Sequence, residues 1–206
     1  LYIDKARSEF DSMQPFYPGA TQIIFEGPSG GSYTGGPFRG VLHTTQAKYF
    51  HPSTKSYYGH SNPPHFTVAM IGDRAHTFQH FSIKTASRAL KNKAGGVQTN
   101  RQSAIQIEIA WTAEDIGNLP ADVYAELQAL IGWINAECQI STAYPPFFDD
   151  AGYGYGSVSR MSAAEWQSFN GWCGHQHVPE NLHWDPGLID IDRALPQLLV
   201  AQAAQQ

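Results

Sequence analysis

Apolar residues recur along the chain with two different periods. Residues 40–45 (Gly-Val-Leu-His-Thr-Thr), 65–71 and 75–80 read as strands, with Gly72-Asp73 as the tight turn between the last two. Residues 103–110 alternate most cleanly. Side chains point to opposite faces of a strand in turn, so Ile105, Ile107 and Ile109 share one face and Gln106, Glu108 and Ala110 the other. The isoleucine face is expected to meet helices. The period lengthens over 120–137, where Val123, Leu127, Leu130, Ile131 and Ile134 form a helical stripe and Pro120 suits the start. Ser162 and Glu165 form a capping box for a short helix that carries Trp166 and Phe169 and ends near Gly171. A last helix is expected after Asp190, disturbed at Pro196, and a short helical turn over 85–90. Gly27 to Gly40, Lys48 to Pro64, Lys91 to Asn100 and Tyr144 to Gly156 hold the turn formers of loops. Strands followed by helices in this order predict an α/β domain, a mixed sheet with helices on its faces. Residues 1–20 read as an N-terminal connection or flap, and 21–206 as one domain.

Composition narrows the class. A chain of 206 residues with 42% apolar and 15% charged residues can bury a core without disulfides. The net charge of −5, with 13 Lys+Arg, argues against a nucleic-acid partner. No apolar run reaches the roughly 18 residues of a membrane span, so no membrane partner is expected. No signal peptide is visible at Leu1, and the chain reads as a monomeric module with adjoining modules in a longer protein. Cys138 and Cys173 read as buried thiols. A disulfide between them, or Cys173 as a metal ligand, are the alternatives. The glycine-rich loop lacks the Gly-Lys-Ser/Thr of a phosphate-binding loop.

The chemistry concentrates between Gly174 and Asp190, where His175, His177, His183 and Asp185 crowd together. Imidazole and carboxylate are ordinary ligands for a metal such as zinc. Pro186-Gly187 turns the chain after Asp185 and can return it towards His175. The alternative is a polar loop in which Asp185 only supports that turn. His43 lies at a strand end, where a lone histidine is more often an ordinary polar residue. Glu108 is a carboxylate held on a rigid strand, or else part of a solvated face. His51 and His60 are too scattered to form a ligand set. The aromatics Tyr144, Phe147, Phe148, Tyr153 and Tyr155 either line a groove or pack their own loop.

Gly174-His175-Gln176-His177-Val178, then His183-Trp184-Asp185-Pro186-Gly187, resembles the C-terminal signature of the zinc-dependent N-acetylmuramoyl-L-alanine amidases. That superfamily includes the peptidoglycan recognition proteins and the amidase-type phage lysins. The stretch looks most like the amidase modules of actinobacterial phage endolysins. His43-Thr44-Thr45 and Asn100-Arg101-Gln102-Ser103-Ala104-Ile105-Gln106-Ile107-Glu108 fit the family's earlier motifs, in family order, and the resemblance spans about residues 38 to 195. It implies the amidase fold and Zn2+ held by His43, His175 and Asp185, with Glu108 as general base. His183 stands where many relatives carry Lys and is expected to be catalytic, steadying an oxyanion. His177 stands where many carry Asp and is expected to be structural. The implied substrate is bacterial peptidoglycan, cut at the amide between N-acetylmuramic acid and L-alanine of the stem peptide. The implied setting is synthesis in a host cytoplasm and action on the cell wall. A non-catalytic peptidoglycan-binding module and a metal-dependent nuclease remain as alternatives.

Overall fold

A computed structural model describes residues 10–50, 62–146, 148–149 and 159–196. Its strands are β1 (Thr21–Gln22), β2 (Arg39–Thr44), β3 (Phe66–Ile71), β4 (Arg74–Gln79), β5 (Ala104–Ile109) and β6 (Trp172–Gly174). The helices that lie wholly within the described residues are α1 (Ala121–Cys138), α2 (Ala163–Ser168) and α3 (Ile191–Ala194), with 3-10 segments at Ala113–Asn118 and His175–His177; residues 10–12 are also helical. The six strands form one sheet in the order β1-β4-β3-β5-β2-β6. Only the β3–β4 hairpin is antiparallel; the other neighbours run parallel. The mixed α/β sheet expected from the strand pattern is present, with each long strand within one residue of its expected bounds.

The isoleucine face of β5 carries the main core. Ile105, Ile107 and Ile109 pack with Leu42, Phe66 and Val68 against Val123, Leu127, Leu130, Ile131 and Ile134 of α1. Each such side chain, fully buried, contributes roughly 1.5–3 kcal/mol. The hairpin closes through Gly72, whose φ of +66° suits glycine at a tight turn. Residues 10–20 lie against the same core: Met13 is buried in it and the Tyr17 ring lies tilted against Trp133.

The other face of the sheet is also covered, so it is not the solvated surface that alternation alone allowed. Register places Val41 beside Gln106 and Cys173, and His43 beside Glu108. Val41, Ala104 and Cys173 pack with Leu90, Trp166 and Val178 in a second apolar cluster. His43, Thr67 and Gln106 are buried on this side.

Several local expectations are corrected. Helix α2 stops at Ser168, not near Gly171, and the chain continues into β6 alongside β2. That strand lies close because Gly40 has no side chain: a Cβ there would stand 2.2 Å from the Trp172 indole. Residues 85–90 are not helical; Ala86 instead forms an antiparallel bridge with Gly31. Helix α3 follows Asp190 as a single turn and stops before Pro196, where the disturbance is expected; residues 197–206 lie outside those described. Leu195 precedes Pro196 and takes an extended conformation (ψ 145°), which the proline ring favours and which ends the helix. The loop positions His51, His60, Phe147, Tyr153 and Tyr155 lie outside the described residues. No helix among the described residues is long and apolar enough to cross a membrane.

Candidate metal centre

Parallel strands β2 and β5 bring His43 and Glu108 side by side near their C-terminal ends. Strand β6 flanks β2 on its other side and leads directly into His175. Gly174 makes the next contact possible, since a Cβ there would stand 2.5 Å from Pro186 Cδ. The Asp-Pro-Gly segment can therefore press against the end of β6. Gln176, fully buried, holds it there. Its backbone N–H donates to the Asp185 carbonyl (2.9 Å) and its side-chain NH2 to the Gly187 carbonyl (3.1 Å), while its Oε1 accepts from Asp149 N (2.9 Å). Gly187 completes the turn at φ +71°.

The result is a buried triad of His43, His175 and Asp185, with one donor atom from each within 4.8 Å of the others. The two imidazole Nδ1 atoms lie 3.0 Å apart. His175 Nδ1 is 3.4 Å from Asp185 Oδ1, and His43 Nδ1 is 3.6 Å from Asp185 Oδ2. Ligands about 2.05 Å from a tetrahedral zinc are separated from one another by roughly 3.3 Å, so these edges have the size of a metal site. The hydrogen bonding supports the same conclusion. Asn181 Oδ1 accepts from Lys91 N (2.9 Å) and its Nδ2 donates to Lys91 O (3.1 Å), which fixes the orientation of its amide. His175 Nε2, 3.2 Å from that Oδ1, must then be the protonated nitrogen. The lone pair of His175 Nδ1 consequently faces the other two donors. Donors of this type, aimed inward and buried, fit a cation.

Electrostatics agree. Asp185 is held well below the usual carboxylate range: burial opposes its ionisation, but His175, His183 and His43 outweigh it. Thr44 N–H also donates to Asp185 Oδ2 (3.2 Å). Burial, then His175, push the His43 imidazole well below its ordinary range, with Asp185 opposing. A metal ligand must be a neutral imidazole and an ionised carboxylate.

Glu108 and His183 complete the site. Glu108 Oε2 is buried with no hydrogen-bond partner, and burial, reinforced by Asp185, raises the carboxyl's pKa well above its usual value. His183 is partly open to solvent, with its side chain 44% exposed and Nδ1 3.1 Å from Asp185 Oδ1. Its ring stacks on His175 at 3.9 Å between centroids. His177 lies apart from the triad: its Nδ1 accepts from Gly174 N (2.9 Å) and its ring meets Phe148 edge-on. Cys173 is a free, buried thiol on the second apolar cluster, and Cys138 is free and buried in the main core. Asn181, Gln176 and the Thr44 amide were not singled out by the sequence. Their roles depend on backbone geometry that no residue type announces.

Fold and site thus define an α/β protein with a buried His-His-Asp group suited to a metal ion. No protein-family model matches the chain, and no curated protein matches it. Among solved structures, the crystal structure of a selenomethionine derivative of AmpD is similar to it. The match has a TM-score of 0.50 and 15% sequence identity, and covers 88% of this chain and 96% of that one. At that identity the likeness shows a shared fold.

Proposed function

We propose that the chain is a zinc-dependent peptidoglycan amidase. It would hydrolyse the amide between N-acetylmuramic acid and L-alanine of the stem peptide, as the lytic module of a phage endolysin acting on the cell wall. The observation that carries this reading is the convergence of His43, His175 and Asp185 with Glu108 directly across the β2–β5 register. The fold shared with AmpD, an N-acetylmuramoyl-L-alanine amidase, supports it. So does the resemblance of the Gly174–Gly187 stretch to endolysin amidases.

His43, His175 and Asp185 would hold the zinc. When bound, it polarises a carbonyl and makes a water molecule more acidic. Glu108 then takes the proton from water on Oε2 and passes it to the leaving nitrogen. Asp185 accepts a hydrogen bond from His183 Nδ1–H, so the imidazolium form of His183 keeps a second N–H, on Nε2, to donate to the developing oxyanion.

The test is a digest. The chain is stripped of metal, restored with zinc, and incubated with purified peptidoglycan. The release of N-terminal alanine and free muramic lactyl carboxylate is then assayed. Zinc-dependent release supports the reading. Sedimentation with peptidoglycan but no release would make this a binding module, and metal-dependent cleavage of nucleic acid would make it a nuclease.

A further inference from the structure

We infer that Gln106 and Asn181 are paired positioning residues that orient the two ligand imidazoles through one shared peptide segment, Leu90–Lys91. The inference rests on the reading of His43 and His175 as metal ligands.

The two halves of this arrangement mirror each other. Asn181 brackets Lys91, accepting from its N–H and donating to its carbonyl, and presents the same Oδ1 to His175 Nε2. Asn100 brackets Leu90 in the same way: Oδ1 accepts from Leu90 N (3.1 Å) and Nδ2 donates to Leu90 O (2.6 Å). That orientation leaves Asn100 Oδ1 facing Gln106, which donates to it from Nε2 at 2.7 Å. The amide of Gln106 is therefore fixed as well, with Oε1 turned away from Asn100.

The Gln106 side chain shares a sheet face with His43, one diagonal step across the β2–β5 register. Gln106 Oε1 and His43 Nε2 are both buried, and neither makes a hydrogen bond in the structure. A buried acceptor and a buried donor left over on neighbouring side chains satisfy each other at least cost. With Nε2–H turned to Gln106, the His43 Nδ1 lone pair faces His175 Nδ1, which is itself left unprotonated by Asn181. The outward nitrogens of both ligands are thus tied to adjacent residues of one strap, and both inward nitrogens are free to bind metal. Groups placed behind metal ligands in this way typically contribute about 10–100-fold in metal affinity.

The test combines imidazole tautomers with metal affinity. Long-range proton–nitrogen NMR on 15N-histidine-labelled, zinc-loaded protein should show Nε2–H and a metal-bound, unprotonated Nδ1 for both His43 and His175. An Nδ1–H tautomer at either residue would overturn the inference, whatever the variants do. Gln106→Leu and Asn181→Leu should each weaken zinc binding by about 10–100-fold in chelator competition. Asn181→Asp keeps the acceptor but loses two donations to backbone. It should therefore lower thermal stability while retaining the Nε2–H tautomer and most of the zinc affinity. A merely structural Asn181 would instead lose affinity in both variants in step with stability, which would also overturn it. If the wild-type chain binds no zinc, the functional reading itself falls. If it binds zinc and Gln106→Leu binds equally well, only the positioning role falls.

Discussion

At Glu108 a carboxylate points from β5 into covered space, with Oε2 buried and unpartnered beside the Asp185 charge. Its folded pKa is raised, so the folded state holds a proton that the unfolded chain releases near the ordinary carboxylate range. Stability attributable to Glu108 is therefore present at low pH and lost as pH rises through that range towards the folded pKa. Glu108→Gln should raise the melting temperature of the metal-free protein at pH 7–8, by about 2–4 °C for each kcal/mol relieved. The same variant should lose on the order of 10²–10⁴ in amidase rate while keeping zinc. Calorimetry and the peptidoglycan digest check the two halves separately, and wild-type turnover would make Glu108 an ordinary strand residue. His183 invites a different comparison. Tied to Asp185 through Nδ1, it can donate from Nε2 only as the imidazolium. His183→Ala should keep zinc yet lose most turnover, whereas His183→Lys, which also offers a donor, should restore part of it. Wild-type turnover by His183→Ala would remove the side chain from the oxyanion.

Among the elements, strands and the long helix were legible because each carries a strong period. The alternation at 103–110 named both faces of β5, and the stripe from Val123 to Ile134 named the buried face of α1. The triad was legible as residue types, and the Asp-Pro-Gly turn pointed to its closure. What stayed hidden has physical reasons. Strand β6 is only three residues long and is placed by the missing side chain of Gly40, a tertiary contact that no window of sequence contains. The bridge at Ala86 replaces a helical turn because its hydrogen bonds go to Gly30 and Gly31, far away in sequence. The second face of the sheet looked polar and proved buried. Pairing satisfies many of its polar groups, as His65 and His80 on this side of the molecule illustrate, while Glu108 Oε2, Gln106 Oε1 and His43 Nε2 are left without a hydrogen bond. His65 is bonded to Thr85 O and Gln106 N, and His80 to Thr67 and Ile23 O. Burial pushes both imidazoles down to about 4. The unfolded chain takes up protons near the ordinary value of about 6.5, before the folded chain does. Their contribution to stability is therefore intact above that pH and is lost as pH falls from there to about 4. Urea titrations between pH 7.5 and 4 should show this decline, and His80→Gln should reduce its slope.

Over the whole molecule, the triad joins parts of the chain that are distant in sequence: His43 and His175 are 132 positions apart. Zinc should raise the unfolding temperature, by an amount equivalent to about 2.7 kcal/mol when free zinc is 100 times the dissociation constant. His175→Ala should abolish that dependence, and full zinc content in that variant would remove His175 from the site. There is a topological side to this. Both cysteines are free, so no covalent link closes the described chain upon itself. A metal shared by His43 and His175 would be a cross-link of the kind a disulfide makes, and a disulfide around a loop of that size restricts the unfolded chain by about 4–5 kcal/mol. A chelator would then play the part that a reductant plays for a stapled domain. It would return slack to a long loop of the unfolded chain, a loss that no contact in the apolar core records.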